Sequence, residues 1–234
     1  MSKENNFDTI ALGRQKEDII INYFFLILYR IKNHNRKNMR TTITILGLLF
    51  FITMQAQDIT LPQPVKTGGM PLMEALSKRS SSREFSPEKL DNQTLSNLLW
   101  AAWGYNREDK RTAPTANDKQ EIDLYVVMES GAYLYDARAN KLIFVTKEDV
   151  RANTGKQDFA GTAPLNIVFV ADKTKEGAPS TDSGFISQNI YLFCASEGLA
   201  TVVRGWFDAD EVKKALNLND TQNVVLTQTV GKKK

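Results

Sequence analysis

Arg79 and Arg83 stand four residues apart with three serines between them, in the run Ser77-Lys78-Arg79-Ser80-Ser81-Ser82-Arg83-Glu84-Phe85. Hydroxyls donate hydrogen bonds and a guanidinium adds forked charge pairing, a combination that suits a phosphate monoester. The same letters also describe a solvated, serine-rich turn, so the run needs company elsewhere in the chain. The single histidine, His34, lies in an N-terminal leader, and the single cysteine is Cys194. Beyond the leader there is thus no Ser-His-Asp triad, no Cys-His pair and no histidine-ligated zinc. One cysteine also excludes an internal disulfide or a Cys-x-x-Cys redox pair. Cys194 falls in an apolar helical pattern and reads as a buried structural thiol. No metal is expected, and a bound cofactor is the natural source of reactivity.

The net charge of +3 is unevenly placed. Residues 1–56 hold eight Lys/Arg and four acids; subtracting these from 30 and 27 leaves 22 bases against 23 acids in 57–234. A near-neutral domain carries no electrostatic argument for nucleic acid. Within the leader, Met39-Arg40 precedes an apolar run over 43–54 and then Gln55-Ala56. A charged start, a short apolar run and a small residue at its end describe a secretory signal peptide over 39–56. Residues 1–38 then read as an upstream extension, and a second apolar run over 19–28 leaves membrane anchoring by the leader open. The expectation is an exported, periplasmic protein cleaved near Ala56, with a linker over 57–70 and one domain over 71–234.

The elements that position the serine run follow from periodicity. A short helix over 71–78 leads into it. Asp91 is the expected N-cap of a helix to Trp103, with Leu95, Leu98, Leu99 and Ala102 at helical spacing and Gly104 closing it. Trp100 and Trp103 read as core or interface anchors. A polar loop over 105–119 has Arg111-Thr112-Ala113-Pro114-Thr115-Ala116-Asn117 at its heart, either presenting backbone to a ligand or serving as an ordinary connection. Strands are expected over 122–128, 133–135 and 141–145, then a short helix over 147–153 and a central, doubly covered strand over 165–171. Thr181 or Asp182 would cap a long helix ended by Gly198, with Phe185, Ile186, Ile190 and Phe193 as its apolar stripe. Val202-Val203 leads into Arg204-Gly205-Trp206, Asp208 caps a helix over 209–216, and 224–230 is the last strand. The mixture is not strictly alternating, so the class is α+β with one core.

Together these pieces resemble the nitroreductase family of FMN flavoproteins. The likeness spans about 70–231 and rests on Arg79-Ser80-Ser81-Ser82-Arg83-Glu84-Phe85, Leu98-Leu99-Trp100-Ala101-Ala102, Ala113-Pro114-Thr115, Gln188-Asn189 and Glu197-Gly198-Leu199-Ala200-Thr201 leading to Gly205-Trp206-Phe207-Asp208. The resemblance implies a three-layer α+β homodimer with a central mixed, mainly antiparallel sheet, and FMN at the dimer interface. It implies that Arg79 and Ser81 hold the phosphate, with Ser80 also in the cofactor site, and that Arg83 lies by the ribityl chain and the N1/O2 edge. Pro114, Thr115 and Ala116 would pack on the flavin from the partner subunit. Asn117 would stand in for the family's asparagine one place on, where this chain has Asp118, and Gln120 matches a glutamine common in that loop. The backbone of Arg204, Gly205 and Trp206 would face flavin N5, and Lys232 and Lys233 would supply C-terminal charge to the phosphate. The implied activity is two half-reactions, from an NAD(P)H-like donor to nitroaromatic or quinone acceptors, with no side chain as nucleophile. Export separates the protein from cytoplasmic NAD(P)H, which leaves the donor open. Rival readings are an azoline dehydrogenase of modified peptides and a non-catalytic, exported FMN-binding protein.

Overall fold

The computed structural model describes residues 57–234. The signal peptide over 39–56 and the extension over 1–38 lie outside the described residues. Among the described residues, no helix is long and apolar enough to cross a membrane.

Seven strands form one sheet: β1 (Ile59–Thr60), β2 (Ile122–Met128), β3 (Gly131–Asp136), β4 (Lys141–Thr146), β5 (Leu165–Asp172), β6 (Leu199–Arg204) and β7 (Gln222–Lys232). Their order is β1-β4-β3-β2-β5-β7-β6, and every pairing is antiparallel. Five helices accompany it: α1 (Leu72–Lys78), α2 (Asn92–Trp103), α3 (Phe159–Thr162), α4 (Pro179–Ser196) and α5 (Ala209–Ala215).

Side chains alternate across a strand, so a strand covered on both faces reads as a continuous apolar run. Ile122, Leu124 and Val126 of β2, with Leu165, Ile167 and Phe169 of β5, face a core built with α2 and α4. Tyr125, Val127, Val168 and Val170 point the other way, toward Val212 and Leu216 at α5. The result is three layers, α2 and α4 on one side of the sheet and α5 on the other, in an α+β fold.

Local chemistry explains where the elements begin and end. Asp91 caps α2, its carboxylate accepting from Thr94 N at 2.8 Å and from the Thr94 hydroxyl at 2.8 Å. Gly104 ends the helix with φ of −71°, outside the left-handed region; glycine is needed there because a Cβ would overlap Trp100. The expected helix over 147–153 is a 3-10 turn at Arg151–Thr154. Asp149 Oδ1 takes Arg151 N at 3.2 Å and the Thr154 hydroxyl donates to Arg151 O at 2.7 Å, side-chain bonds that compete with a regular helix. Helix α4 starts ahead of Thr181 and Asp182, at Pro179, where the fixed φ of proline suits a first helical position. Its stripe is Ile186, Ile190 and Cys194, whereas Phe185 is 44 % exposed. Residues 57–70 are also more than a connection. β1 lies there, and Leu61 is buried beside Asn140, whose Nδ2 donates to Pro62 O at 2.7 Å and Ser96 Oγ at 3.1 Å.

The Thr94 hydrogen bonds hold the Asp91 carboxyl below its usual range. A depressed carboxyl stabilises the fold above its unfolded pKa, and that contribution fades as pH falls through the folded value. Asp91→Ala should lower stability by about 1 kcal/mol at neutral pH. In denaturant titrations the gap between the two proteins should close on acidification.

Candidate active site

Helix α1 hands the chain to the serine run at Arg79, which leaves the helix with φ of −57° and ψ of 121°. The run is strapped to the sheet by its backbone: Ser82 N donates to Thr201 O at 2.9 Å and Ser86 N to Lys232 O at 2.9 Å, with Phe85 bridging Lys233. Tyr191 of α4 organises its side chains. The Ser81 hydroxyl lies 2.8 Å from the Tyr191 hydroxyl, which also accepts from Val203 N at 3.0 Å. The Arg79 guanidinium lies 5.2 Å from the Tyr191 ring centroid, in cation–π range.

Beside this strap is a cavity of about 520 Å³ whose lining includes Lys78, Ser80, Tyr191, Thr201 and Lys233. Arg79, Arg83 and Lys233 take part in no ion pair among the described residues. Lys78 is paired with Glu74 at 2.7 Å, and Lys232 with Glu88. The two C-terminal lysines therefore differ: Lys233 borders the cavity, and Lys232 is already neutralised outside it. Ser80 and Lys233 border the cavity, and the adjoining run carries Arg79 and Arg83, groups of the kind a phosphate takes.

The loop after α2 is braced from within. Arg111 lies 4.6 Å from the Trp103 ring centroid and 4.0 Å from that of Tyr105. It donates from Nη1 to Trp103 O at 2.9 Å and from Nε to Gln120 Oε1 at 3.0 Å. Gln120 Nε2 donates to Asp109 O at 2.8 Å and to Asp118 Oδ1 at 3.1 Å, so its amide is spent inside the loop. Asn117, Asp118 and Gln120 have φ of 51°, 55° and 47°, left-handed positions that asparagine and aspartate accept more readily than glutamine. Asp118 pairs with Lys110, and that hydrogen bond holds its carboxyl below the usual range, which accounts for its charge. Thr115 Oγ1 accepts from Gln120 N at 3.0 Å, and Ala116 N donates to Asp182 Oδ2 at 3.0 Å. Pro114 and Asn117 remain exposed.

At the end of β6 the backbone and the side chain of Arg204 part company. The guanidinium turns inward, donating to Thr154 O at 3.1 Å and Asn166 Oδ1 at 2.9 Å and lying 5.6 Å from the Phe159 ring centroid. No carboxylate meets it among the described residues, and burial pushes its pKa down to about 10. The next residues face outward. Gly205 is exposed with open space where a side chain would project, and Trp206 is 66 % exposed.

Asp182, which holds the loop, and Tyr191, which holds the serine run, are nine residues apart on α4, about 13 Å of helix.

The family model described as Nitroreductase family matches residues 76–232, from the last residues of α1 through β7. The chain belongs to the nitroreductase family. A crystal structure from Ralstonia eutropha, named as a nitroreductase, is 40% identical with a TM-score of 0.71, covering 76% of this chain and 90% of that one. A protein of Methanocaldococcus jannaschii, also named as a nitroreductase, is 29% identical over 182 residues, or 69% of this chain and 91% of the relative. A chain of the E. coli microcin synthetase McbBCD complex shares the fold at a TM-score of 0.60 and 17% identity, covering 81% of this chain and 82% of that one. Membership of the nitroreductase family supports flavin oxidoreductase chemistry in the broad sense. In keeping with this, Cys194 is fully buried and burial pushes its thiol up, leaving it no nucleophile. Among the described residues no group of three or more His, Cys, Asp or Glu could hold a metal.

Tyr191 escaped the sequence reading. The signal was there, a phenol one residue after the Ile190 stripe position, but its partners lie in distant segments. Gly155 is likewise explained only in three dimensions: a Cβ there would overlap the Arg204 guanidinium. Gly155→Ala should destabilise the protein by about 1–3 kcal/mol through overpacking. Combining it with Arg204→Met should give less than the sum of the two single losses in thermal unfolding.

Proposed function

We propose that this nitroreductase-family chain is an exported, homodimeric FMN oxidoreductase that passes reducing equivalents from a reduced, NAD(P)H-like donor to nitroaromatic or quinone acceptors. The observation that carries the reading is a cavity of about 520 Å³ lined by Ser80, Tyr191 and Lys233 beside the serine run, whose Arg79 and Arg83, like Lys233, have no ion-pair partner among the described residues. Exposed cations without partners repel one another, and a phosphate relieves that repulsion while satisfying the hydroxyls. FMN, when bound, supplies two-electron chemistry at its ring N5.

The residues of the chain bind and orient. Arg79, Ser80, Ser81 and Lys233 hold the phosphate. Arg83 carries positive charge toward the edge of the ring that becomes negative on reduction, which is electrostatic stabilisation. Gly205 leaves the main chain of 204–206 accessible from outside, so a planar ring can approach it closely. Pro114, Thr115, Ala116 and Asn117 close the site from the partner subunit. Support for two copies comes from α1, where Leu72 and Met73 are 62% and 77% exposed, apolar surface unusual for a lone domain. Export rests on the leader, and the mass of the mature N-terminus checks cleavage near Ala56. The likeness to the microcin synthetase chain is one of fold, so azoline dehydrogenation gains no residue-level support.

The purified protein should be yellow and should bleach anaerobically with a nicotinamide donor; a bound flavin that no donor reduces would favour a carrier. Arg79→Ala should weaken FMN binding by about 1.5–3 kcal/mol, roughly tenfold to a hundredfold. Lys233→Ala should also weaken it, while Lys232→Ala should leave it unchanged. FMN fluorescence titrations of the apoproteins read all three.

A further inference from the structure

Glu121 and Asp182 are both 1 % exposed. Glu121 ends the loop just ahead of β2, and Asp182 lies in the first turn of α4. Neither oxygen of the Glu121 carboxyl has a hydrogen-bond partner among the described residues. Gly177 lies against that carboxyl so closely that a Cβ would overlap it, which closes the site from above. No cation pairs with either acid among the described residues. Lys175, the nearest lysine in the β5–α4 connection, donates from Nζ to the Gln120 carbonyl at 3.0 Å. Arg111 is committed to Trp103 O and Gln120 Oε1, and Asp123 on β2 and Asp172 at the end of β5 add only negative charge.

Two ionised carboxylates enclosed in this way would repel strongly, and that of Glu121 would lack a hydrogen-bond donor. A single proton resolves both problems. It belongs on Glu121, because Asp182 accepts the Ala116 N–H at 3.0 Å and sits at the helix terminus that favours negative charge. We propose that Glu121 is a neutral acid at physiological pH that donates to the Asp182 carboxylate, and that this buried pair is the positioning device for the 114–117 loop. Burial first, and the nearby Asp182 second, raise the Glu121 carboxyl above its ordinary range.

The sign of the pH dependence follows. A raised acid stabilises the closed loop fully below the ordinary glutamate range, and that contribution is lost as pH rises through the raised value. Above it Glu121 ionises, faces Asp182 charge to charge, and the Ala116 anchor weakens. On the reading under Proposed function this loop closes on the cofactor, so FMN affinity would fall over the same window.

Amide hydrogen exchange of the full chain without added flavin tests the device. After correction for intrinsic exchange, protection at Ala116 should fall by up to about tenfold per pH unit between the ordinary glutamate range and the raised value, and level off above it. Glu121→Gln, whose amide still donates to Asp182 and cannot ionise, should remove that dependence. Asp182→Asn should remove it from the other side by donating to an ionised Glu121. Infrared spectra of the wild-type protein at neutral pH should show a protonated carboxylic acid carbonyl band that is missing in Glu121→Gln. Matching pH profiles in wild type and both variants, or no such band in the wild type, would overturn the proposal. Because exchange is read on the apoprotein, a chain that never binds FMN would sink the cofactor reading and leave this one intact.

Discussion

The packing of α4 against the sheet is the constraint on which the rest depends. Ile186, Ile190 and Cys194 are buried against Leu98, Leu99, Leu124 and Ile167, at the densest part of the core. Burying such side chains completely is worth about 1.5–3 kcal/mol each, so the axial position and rotation of the helix are firmly set. Every other face of α4 is then fixed as a consequence. Asp182 at its start must meet the loop after α2, Asn189 Nδ2 must meet Ala101 O at 3.1 Å, and Tyr191 must meet the serine run and Val203. The apolar stripe does no chemistry, yet it determines where the polar residues beside it can reach.

The sequence makes legible what is periodic or local. The uninterrupted run over 165–171 announces a doubly covered strand because both faces of β5 are core, and Asp91 announces α2 because a cap needs only its own first turn. Motif residues in the serine run and around Gly205 were legible as a family pattern. What escaped is set by distant partners. Phe185 fits the stripe on spacing, but it lies at its margin, where nothing covers it within one chain. Lys232 and Lys233 are indistinguishable as letters; only the pleat, which turns neighbours to opposite sides, sends one to Glu88 and the other to the cavity. Gln120 matches a family letter, and its local partners were not legible, since Arg111, Asp109 and Asp118 surround it only once the loop folds back.

Charge in this domain departs from ordinary pairing in three places, and each departure has a different physical meaning. Arg204 is a buried cation that meets only neutral oxygens, its Nε left without a partner, and it holds the end of β6 against the 3-10 turn through Thr154 and Asn166. Its lowered pKa still lies well above neutrality, so it stays charged and structural. Arg83 and Lys233 are exposed and Arg79 is half-buried, where solvent makes an unpaired cation inexpensive and a bound anion easily accommodated. Glu121 and Asp182 are the reverse, two acids enclosed without a cation, where solvent cannot help and only a proton can. Exposure thus separates a group waiting for a ligand from a group that must settle its charge internally.

The geometry of α4 also bears on why one copy would not suffice. A helix is rigid over nine residues, so the loop anchored at Asp182 and the serine run anchored at Tyr191 stay about 13 Å apart however the loops between them move. On the reading proposed above, the serine run takes the phosphate end of an extended ligand and the 114–117 loop closes on its ring. A second copy related by a two-fold axis would bring its own Asp182 end to the first copy's Tyr191 end and give two equivalent sites from one contact. The exposed apolar side chains of α1, Leu72 and Met73, adjoin the serine run in sequence, so the surface most in need of cover lies next to the site most in need of completion. On the two-copy reading, association and cofactor binding are linked, since each supplies residues the other requires. Dilution and loss of flavin should then be two routes to the same incomplete site.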